Sequence, residues 1–300
     1  MRLALALAAL LVSTSLASAD VNVIASIKPI HSLVASVMQG VGTPGLIVSG
    51  NNSPHTYSLK PTDAEALQQA QVIFWVGPEL EAFLQKPLEA LGQDATKVGL
   101  LKAKGVTVLP ARVGNGFDPD IDEGEVHVEG EMDGHIWLDP ENAKVMVKVI
   151  AETLSAADAS NAGTYKANAE KTVAELDRLS AEIAATVARA KGKGFIVFHD
   201  AYHYFENRFG VKASGAISIN PENPPGAEAI TALRQRISDG KVQCVFAEPQ
   251  FDNKLVNVII EGSNVKSAIL DPEGAGLEPG PALYESVLRD LSKSLAQCLQ

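Results

Sequence analysis

Residues 161–190 read NAGTYKANAEKTVAELDRLSAEIAATVARA, and this stretch divides the sequence into two halves. It contains no proline, and its large apolar side chains recur at the spacing of one helical face: Leu176, Leu179, Ile183 and Val187. Gly192 and Gly194 follow, as glycines often do after a helix. A helix of about 30 residues would be about 45 Å long, enough to connect two lobes. An ordinary helix within one domain is the alternative interpretation.

On both sides of this stretch, short apolar runs alternate with helical patterns. Before it, the predicted strands are residues 21–27, 46–48, 72–76 and 106–109, and the predicted helices are residues 29–39, 62–70 and 79–91. After it, the predicted strands are residues 195–198, 216–219, 242–247 and 267–269. Strands that alternate with helices form parallel sheets with helices on both faces. We therefore predict an α/β fold with an N-terminal lobe (residues 20–160), a linking helix (161–191) and a C-terminal lobe (192–300).

The first nineteen residues predict an export signal. Arg2 supplies a positive charge, residues 3–12 form an almost unbroken apolar run, and Ala17 and Ala19 mark a cleavage site after Ala19. An N-terminal membrane anchor is the alternative, but the apolar run is shorter than the ~20 residues that span a bilayer. We therefore expect a mature protein that begins at Asp20 and lies in the periplasm.

The two cysteines, Cys244 and Cys298, lie far from this cleavage site, so neither can carry the lipid that tethers many exported binding proteins. In an oxidising compartment we expect them to form a disulfide bond. Two separate buried thiols are the alternative. A metal site made by both cysteines is disfavoured because no histidine lies between or beside them.

The net charge of −11 argues against a nucleic-acid partner, because phosphate backbones attract basic surfaces. Acidity suits a protein that handles cations, although it is weak evidence by itself. Residues 114–134 contain eight acidic residues, no lysine or arginine, and a single histidine, His127. This composition predicts a flexible, solvated loop. An auxiliary role for His127 in collecting metal ions is the alternative.

Besides His127, two of the six histidines lie in loops of the N-terminal half. His55 follows the strand predicted at residues 46–48 in a turn-rich loop. His135 lies just before Asp139 and Pro140, which predict the start of a helix. Each could be a metal ligand. The alternatives are a solvated loop histidine for His55 and a structural, hydrogen-bonded histidine for His135.

Two further candidates close predicted strands in the C-terminal half. His199 ends the apolar run 195–198, and open α/β sheets bind their ligands at the carboxyl ends of strands. Asp271 follows the strand predicted at residues 267–269. A turn or helix-capping aspartate is the alternative for Asp271.

The other histidines are weaker candidates. His31 lies in an amphipathic helical pattern, which predicts a structural role. His203 is four residues after His199, which is the spacing of the HExxH motif of zinc proteases. Asp200 stands where that motif has its catalytic glutamate, and a strand runs into His199 where a helix is needed, so the motif is disfavoured.

Five strings, in this order, resemble the zinc-specific substrate-binding proteins of bacterial ABC importers, the ZnuA-like branch of the metal-binding cluster. The strings are SPHTYSLKP (53–61), GHIWLDP (134–140), FHDAY (198–202), AEPQF (247–251) and LDP (270–272). One string alone is only modestly specific. Together they cover almost the whole mature chain and are highly specific.

The resemblance implies two Rossmann-like lobes joined by one long rigid helix, with a metal ion in the cleft between them. It implies four Zn²⁺ ligands: His55, His135, His199 and Asp271. The Cys244–Cys298 pair matches a disulfide of many zinc members. Manganese-type relatives typically carry glutamate at the position of His199, and imidazole favours zinc over manganese.

Two features depart from the family pattern. Many zinc members carry a long histidine-rich insertion before the second ligand, whereas the corresponding segment here is acidic with His127 alone. The second departure is His203, which stands at a position where the family pattern predicts no ligand; a bystander and a residue that perturbs His199 are the two interpretations.

The predicted function is therefore capture of Zn²⁺ in the periplasm and its delivery to the membrane permease of an ABC importer, by a monomer without enzymatic activity. Four protein ligands would leave no metal-bound water, which is typical of holding a metal rather than of catalysis. One alternative is a zinc hydrolase with Asp200 or Glu248 as base. Another is an adhesin or a periplasmic zinc chaperone.

Overall fold

The computed structural model describes residues 21–117, 127–221 and 224–300, and for residues 127–130 it describes the backbone alone. The predicted signal peptide and the centre of the acidic segment lie outside these residues. Among the described helices, none is both long enough and apolar enough to cross a bilayer.

The N-terminal half contains a parallel sheet of four strands in the order β2-β1-β3-β4. Its strands are β1 (Val23–Ala25), β2 (Gly45–Leu46), β3 (Val72–Trp75) and β4 (Thr96–Gly99). The helices between them are α1 (Lys28–Val37), α2 (Pro61–Gln69) and α3 (Ala82–Ala90). β1 is buried along its whole length, as expected for a central strand covered on both faces.

The strand predicted at residues 106–109 is wrong. The fourth strand is β4, whose first two residues, Thr96 and Lys97, are exposed and polar, so no apolar run marks this strand in the sequence. Residues 106–109 instead form a loop whose backbone is held by side chains. Thr107 N donates to Asn142 Oδ1 at 2.8 Å, and Leu109 N donates to the hydroxyl of Tyr204 at 2.9 Å.

After this loop, β5 (Pro110–Arg112) pairs antiparallel with β6 (His127–Met132). Residues 114–117, which follow β5, reach the C-terminal half and lie along strand β8 (Gly215–Ser218). Phe117 N donates to Ser214 O at 3.1 Å, and Ala216 N donates to Asn115 O at 3.0 Å. A side chain at Gly215 would collide with the Asn115 carbonyl, which explains the glycine. We call residues 114–117 the crossing segment.

Two long helices follow β6: α4 (Pro140–Ala157), which belongs to the first half, and α5 (Ala162–Val187), which connects the two halves. Asp139 accepts a hydrogen bond from Glu141 N at 2.8 Å and so caps α4, with proline at its first position. α5 has 26 residues and packs against α1 and α4 of the first half and against the last helix, α9 (Leu283–Cys298), of the second. Its buried face includes the four predicted apolar residues, which confirms the linking helix.

The C-terminal half repeats the architecture with a parallel sheet in the order β10-β9-β7-β8. Its other strands are β7 (Phe195–His199), β9 (Cys244–Ala247) and β10 (Lys266–Ile269), and its other helices are α6 (His203–Phe209), α7 (Ala227–Ser238) and α8 (Lys254–Ile260). One buried apolar cluster includes side chains of both sheets, α4, α5 and α9. The fold is therefore two Rossmann-like α/β lobes joined by a long helix, as predicted.

The predicted disulfide is confirmed. Cys244 at the start of β9 is bonded to Cys298 at the end of α9, with 6.0 Å between the Cα atoms. The bridge fastens the last helix to the amino end of a central strand. Ligands of such sheets bind at the opposite, carboxyl end.

Candidate metal centre

His55 lies in the loop between β2 and α2, and the loop is fixed by side chains on both sides of it. The hydroxyl of Tyr57 donates to Asp63 Oδ2 at 2.8 Å, and the Tyr57 ring packs against Phe83 at 5.1 Å between centroids. His55 N donates to Ser53 Oγ at 3.3 Å. The imidazole is therefore presented by an anchored loop rather than by a freely solvated one.

His135 is held by Asp133, two residues before it. Asp133 Oδ1 accepts hydrogen bonds from both the backbone N of His135, at 2.9 Å, and its ring Nδ1, at 2.7 Å. The hydroxyl of Tyr204 donates to Asp133 O at 2.7 Å. Gly134 lies between Asp133 and His135, and a Cβ atom added to it would lie 2.9 Å from Leu80 Cβ. The close approach of this backbone to Leu80 therefore requires glycine. With Nδ1 engaged, Nε2 of His135 is the nitrogen that faces the cleft.

His199 is the last residue of β7, at the carboxyl end of the sheet, as predicted. Its Nδ1 lies 2.6 Å from Glu248 Oε2, and the hydroxyl of Tyr202 donates to Glu248 Oε1 at 3.1 Å. Glu248 follows β9, the neighbouring strand. Sequence reasoning considered Glu248 only as a base of a hydrolase, although its place after a strand could have suggested a partner for His199.

The three imidazoles converge. Nε2 of His135 lies 3.2 Å from Nε2 of His55 and 3.3 Å from Nε2 of His199. Zn–N bonds of 2.0–2.1 Å at tetrahedral angles put nitrogen atoms about 3.3 Å apart, so these distances fit one metal ion bound by all three. The carboxylate partners of His135 and His199 are the usual means of orienting metal-binding imidazoles. The donors therefore fit zinc.

Electrostatics favour the neutral imidazole that a metal needs. Burial, and then the neighbouring rings of His135 and His199, hold the pKa of His55 well below its ordinary value. His55 is therefore neutral at pH 7, and a metal ion need not displace a proton from it.

Asp271 stands apart from the histidines in this structure. Its Oδ1 accepts hydrogen bonds from Gln250 Nε2 at 2.8 Å and Gly274 N at 2.9 Å, and its Oδ2 accepts one from Ala275 N at 2.6 Å. Within the described residues, the group with donor atoms close enough to share a metal ion is His55, His135 and His199. The structure thus brings three of the four predicted ligands together and places the fourth in its own turn.

The turn after Asp271 is attached to the N-terminal half, which sequence reasoning missed. Lys28 Nζ donates to the carbonyls of Gly274 at 2.9 Å and Ala275 at 2.8 Å, and Trp137 Nε1 donates to Pro272 O at 2.9 Å. Lys28 is buried, and burial lowers its pKa against the opposing effect of nearby carboxylates. A lysine in an apolar helical pattern gives no sequence signal for this role.

Of the other histidines, His203 and His31 do not join the cluster. His203 is buried at the start of α6, with Nδ1 4.0 Å from Asp133 Oδ2. Because His199 ends a strand and His203 begins a helix, the two do not share a helical face, and the zinc-protease motif is excluded. His31 Nε2 contacts Pro44 O at 3.0 Å, in a structural role. His127 begins β6, and its side chain lies outside the described part of the chain.

The cleft beside the histidines is a cavity of about 340 Å³ with an acidic wall. Its lining includes His55, His135, Glu79, Glu131, Asp133, Asp200 and Arg112. Such a wall raises the local concentration of cations. The arrangement can bind a divalent metal ion through nitrogen at the boundary of the two lobes.

Comparison with known proteins identifies the family of this chain. The family model of ZnuA, described as zinc-uptake complex component A, periplasmic, matches residues 23–298. This chain belongs to that family. The high-affinity zinc uptake system protein ZnuA of Brucella abortus (strain 2308) is 46% identical, over 95% of this chain and 94% of its own length. The ZnuA protein of Yersinia pestis is 34% identical, over 97% of this chain and 95% of its own length.

Two solved structures share the fold of this chain. A crystal structure of ZnuA superposes with a TM-score of 0.78 at 26% identity, over 94% of this chain and 100% of that chain. The periplasmic zinc binding protein TroA from Treponema pallidum gives a TM-score of 0.79 at 20% identity, over 94% and 99% of the two chains. The second likeness supports the fold alone.

Proposed function

We propose that this protein captures Zn²⁺ in the periplasm and delivers it to the membrane permease of an ABC importer. The observation that carries the proposal is the convergence of the three imidazoles: His135 Nε2 lies 3.2 Å from His55 Nε2 and 3.3 Å from His199 Nε2. Membership of the ZnuA family supports it, since relatives at 46% and 34% identity are named high-affinity zinc uptake system proteins. In this proposal residues 1–19 are the export signal and the mature protein is a monomer.

The proposed site lies between an N-terminal lobe (20–160) and a C-terminal lobe (192–300), linked by residues 161–191. His55 and His135 come from the first lobe and His199 from the second. Asp271 is the proposed fourth ligand, and it would exchange the hydrogen bonds of its turn for a bond to zinc. Zinc would thereby join the two lobes and pull on the Asp271 turn, a change that the permease could recognise.

Binding without catalysis is supported by the contacts of Glu248 and Asp200, the two carboxylates that could act as the base of a hydrolase. Glu248 holds His199 Nδ1, and Asp200 is held by the guanidinium of Arg112. A general base must be able to reach and deprotonate a water molecule. Neither carboxylate is available for that while these contacts persist.

The first test is an anaerobic titration of the apo protein with Zn²⁺ in competition with Mn²⁺, repeated on Asp271→Asn. The wild type should bind one zinc ion tightly and resist manganese, because imidazole ligands favour zinc. Asp271→Asn should weaken zinc binding at least about tenfold, because an amide is a poor substitute for a carboxylate ligand. Preference of the wild type for manganese would contradict the proposed function. An unchanged affinity of the variant would remove Asp271 from the ligand set.

Glu248→Gln should weaken zinc binding by about 10- to 100-fold, the usual effect of losing a carboxylate that orients a ligating histidine. The measurement is competition against a chelator of known affinity. Glu261→Gln is the matched control, because Glu261 is an exposed glutamate of the same half. A zinc affinity of Glu248→Gln equal to that of the control would show that the contact with His199 does not tune the site.

Measuring zinc accumulation in cells distinguishes a protein that delivers zinc to an importer from an adhesin or a zinc chaperone. Zinc-limited cells that lack the protein should accumulate less zinc, and the wild-type gene should restore accumulation. Complementation by an Asp271→Asn or His199→Ala variant should fail in proportion to its loss of affinity. Normal accumulation without the protein would favour one of the alternatives.

A further inference from the structure

Arg112 at the end of β5 connects the first half of the chain to Asp200 and Glu206 of the second. Its Nε donates to Asp200 Oδ1 at 3.1 Å and Oδ2 at 3.0 Å. Its Nη1 and Nη2 donate to the two carboxylate oxygens of Glu206, both at 2.9 Å. The Phe117 ring lies 3.9 Å from the guanidinium. Arg112 thus holds two carboxylates with a single planar group.

This ion network is buried beside the metal centre. The side chains of Arg112, Asp200 and Glu206 are 9%, 6% and 2% exposed. Asp200 directly follows His199 and lines the same cavity as His55 and His135. Burial opposes the charge of Arg112, but Glu206 and Asp200 raise its pKa well above the ordinary value. The guanidinium is therefore a permanent counter-charge at the edge of the site.

The carboxylates next to the proposed ligands all have assigned partners. Asp133 holds the ring of His135, Glu248 holds the ring of His199, and Asp200 is held by Arg112. Asp133 and Glu248 orient histidine rings. Within the described residues, the side-chain contacts of Asp200 are those with Arg112, so it is the carboxylate that would become available if the arginine were removed.

We propose that Arg112 determines metal specificity by holding the Asp200 carboxylate away from the bound cation, which keeps the site rich in imidazole and favours Zn²⁺ over Mn²⁺. The inference rests on the proposed function. Carboxylate oxygen is a ligand that suits manganese, whereas imidazole suits zinc. An additional oxygen donor would also raise the coordination number above the four that zinc prefers.

Asp200, rather than Glu206, is the group that would be released toward the metal ion. Glu206 keeps a second hydrogen bond, from Ala213 N at 3.0 Å, and it does not belong to the lining of the metal-site cavity. A buried carboxylate that loses its counter-ion is strongly destabilised unless it finds another positive partner. Because Asp200 lines the same cavity as His55 and His135, a cation bound by the histidines would be such a partner.

The test compares Arg112→Gln, Arg112→Lys and the double variant Arg112→Gln/Asp200→Asn with the wild type. Competition titrations give the ratio of the Zn²⁺ and Mn²⁺ dissociation constants, and the visible spectrum of the Co²⁺ complex reports coordination number. In Arg112→Gln the preference for zinc should fall at least about tenfold, and the intense cobalt bands of a tetrahedral site should weaken. The double variant, which lacks the released carboxylate, should regain the wild-type ratio and spectrum.

Arg112→Lys keeps the charge but not the fork that grips Asp200, so it should shift the ratio in the same direction by less. Thermal unfolding in the presence of a chelator checks that each variant is folded. If Arg112→Gln does not fold, the comparison of Arg112→Lys with the wild type provides the test. An unchanged ratio in the folded Arg112 variants, or a double variant that behaves like Arg112→Gln, would overturn the inference. Failure of the wild type to prefer zinc would instead overturn the proposed function.

Discussion

Replacing His199 with alanine is expected to lower the affinity for Zn²⁺ at least about a thousandfold, equivalent to about 4 kcal/mol. The substitution removes one of three converging nitrogen donors and leaves Glu248 without the ring that it orients. Because losing an orienting partner alone costs about 10- to 100-fold, losing the ligand itself should cost more. Isothermal titration or chelator competition on apo protein measures the change.

The matched control is His31→Gln. His31 is a buried histidine whose Nε2 contacts Pro44 O, and a glutamine amide can still donate to that carbonyl. The control removes one imidazole from the chain without touching the cluster, so its zinc affinity should equal that of the wild type. Wild-type affinity in His199→Ala, or a loss as large in His31→Gln, would contradict the proposed ligand set.

Removing the disulfide with Cys244→Ser/Cys298→Ser is expected to lower the free energy of unfolding by about 4 kcal/mol. The bond spans 54 residues of the sequence, and closing a loop of that length restricts the unfolded chain strongly. Urea unfolding of the apo protein, followed by circular dichroism, measures the change as a lower midpoint with a similar slope.

Wild-type protein unfolded in the presence of a reductant is the control for this variant, and its midpoint should agree with that of the double serine variant. Zinc affinity should be unchanged, because the bond lies at the amino end of β9 and His199 lies at the carboxyl end of the neighbouring strand β7. A midpoint unaffected by the double substitution would show that the bond does not contribute to stability.

The features that sequence predicted well are those set by local pattern. The apolar run before His199 fixed both a buried strand and the position of its last residue at the ligand-binding edge of the sheet. The periodicity of residues 161–190 predicted α5, whose described boundaries differ by one residue at the start and three at the end. The paired cysteines followed from the expected compartment.

The features that sequence missed depend on contacts between distant residues. β4 begins with polar residues, and it is a strand because it pairs with β3 rather than because of its own composition. The partnership of Glu248 with His199 spans 49 positions, and that of Arg112 with Asp200 spans 88. The hydrogen-bonded turn of Asp271 was foreseen only as an alternative. None of these pairings has a motif of fixed spacing.

The crossing segment has a consequence for any attempt to divide this protein into parts. Strand β8 is at the end of its sheet, and its outer side is covered by residues 114–117, which belong to the other half of the chain. A fragment that starts after α5 would therefore expose the unpaired amides and carbonyls of β8, and such edges invite aggregation. A two-fragment complementation reporter would need the N-terminal piece present while the C-terminal piece folds.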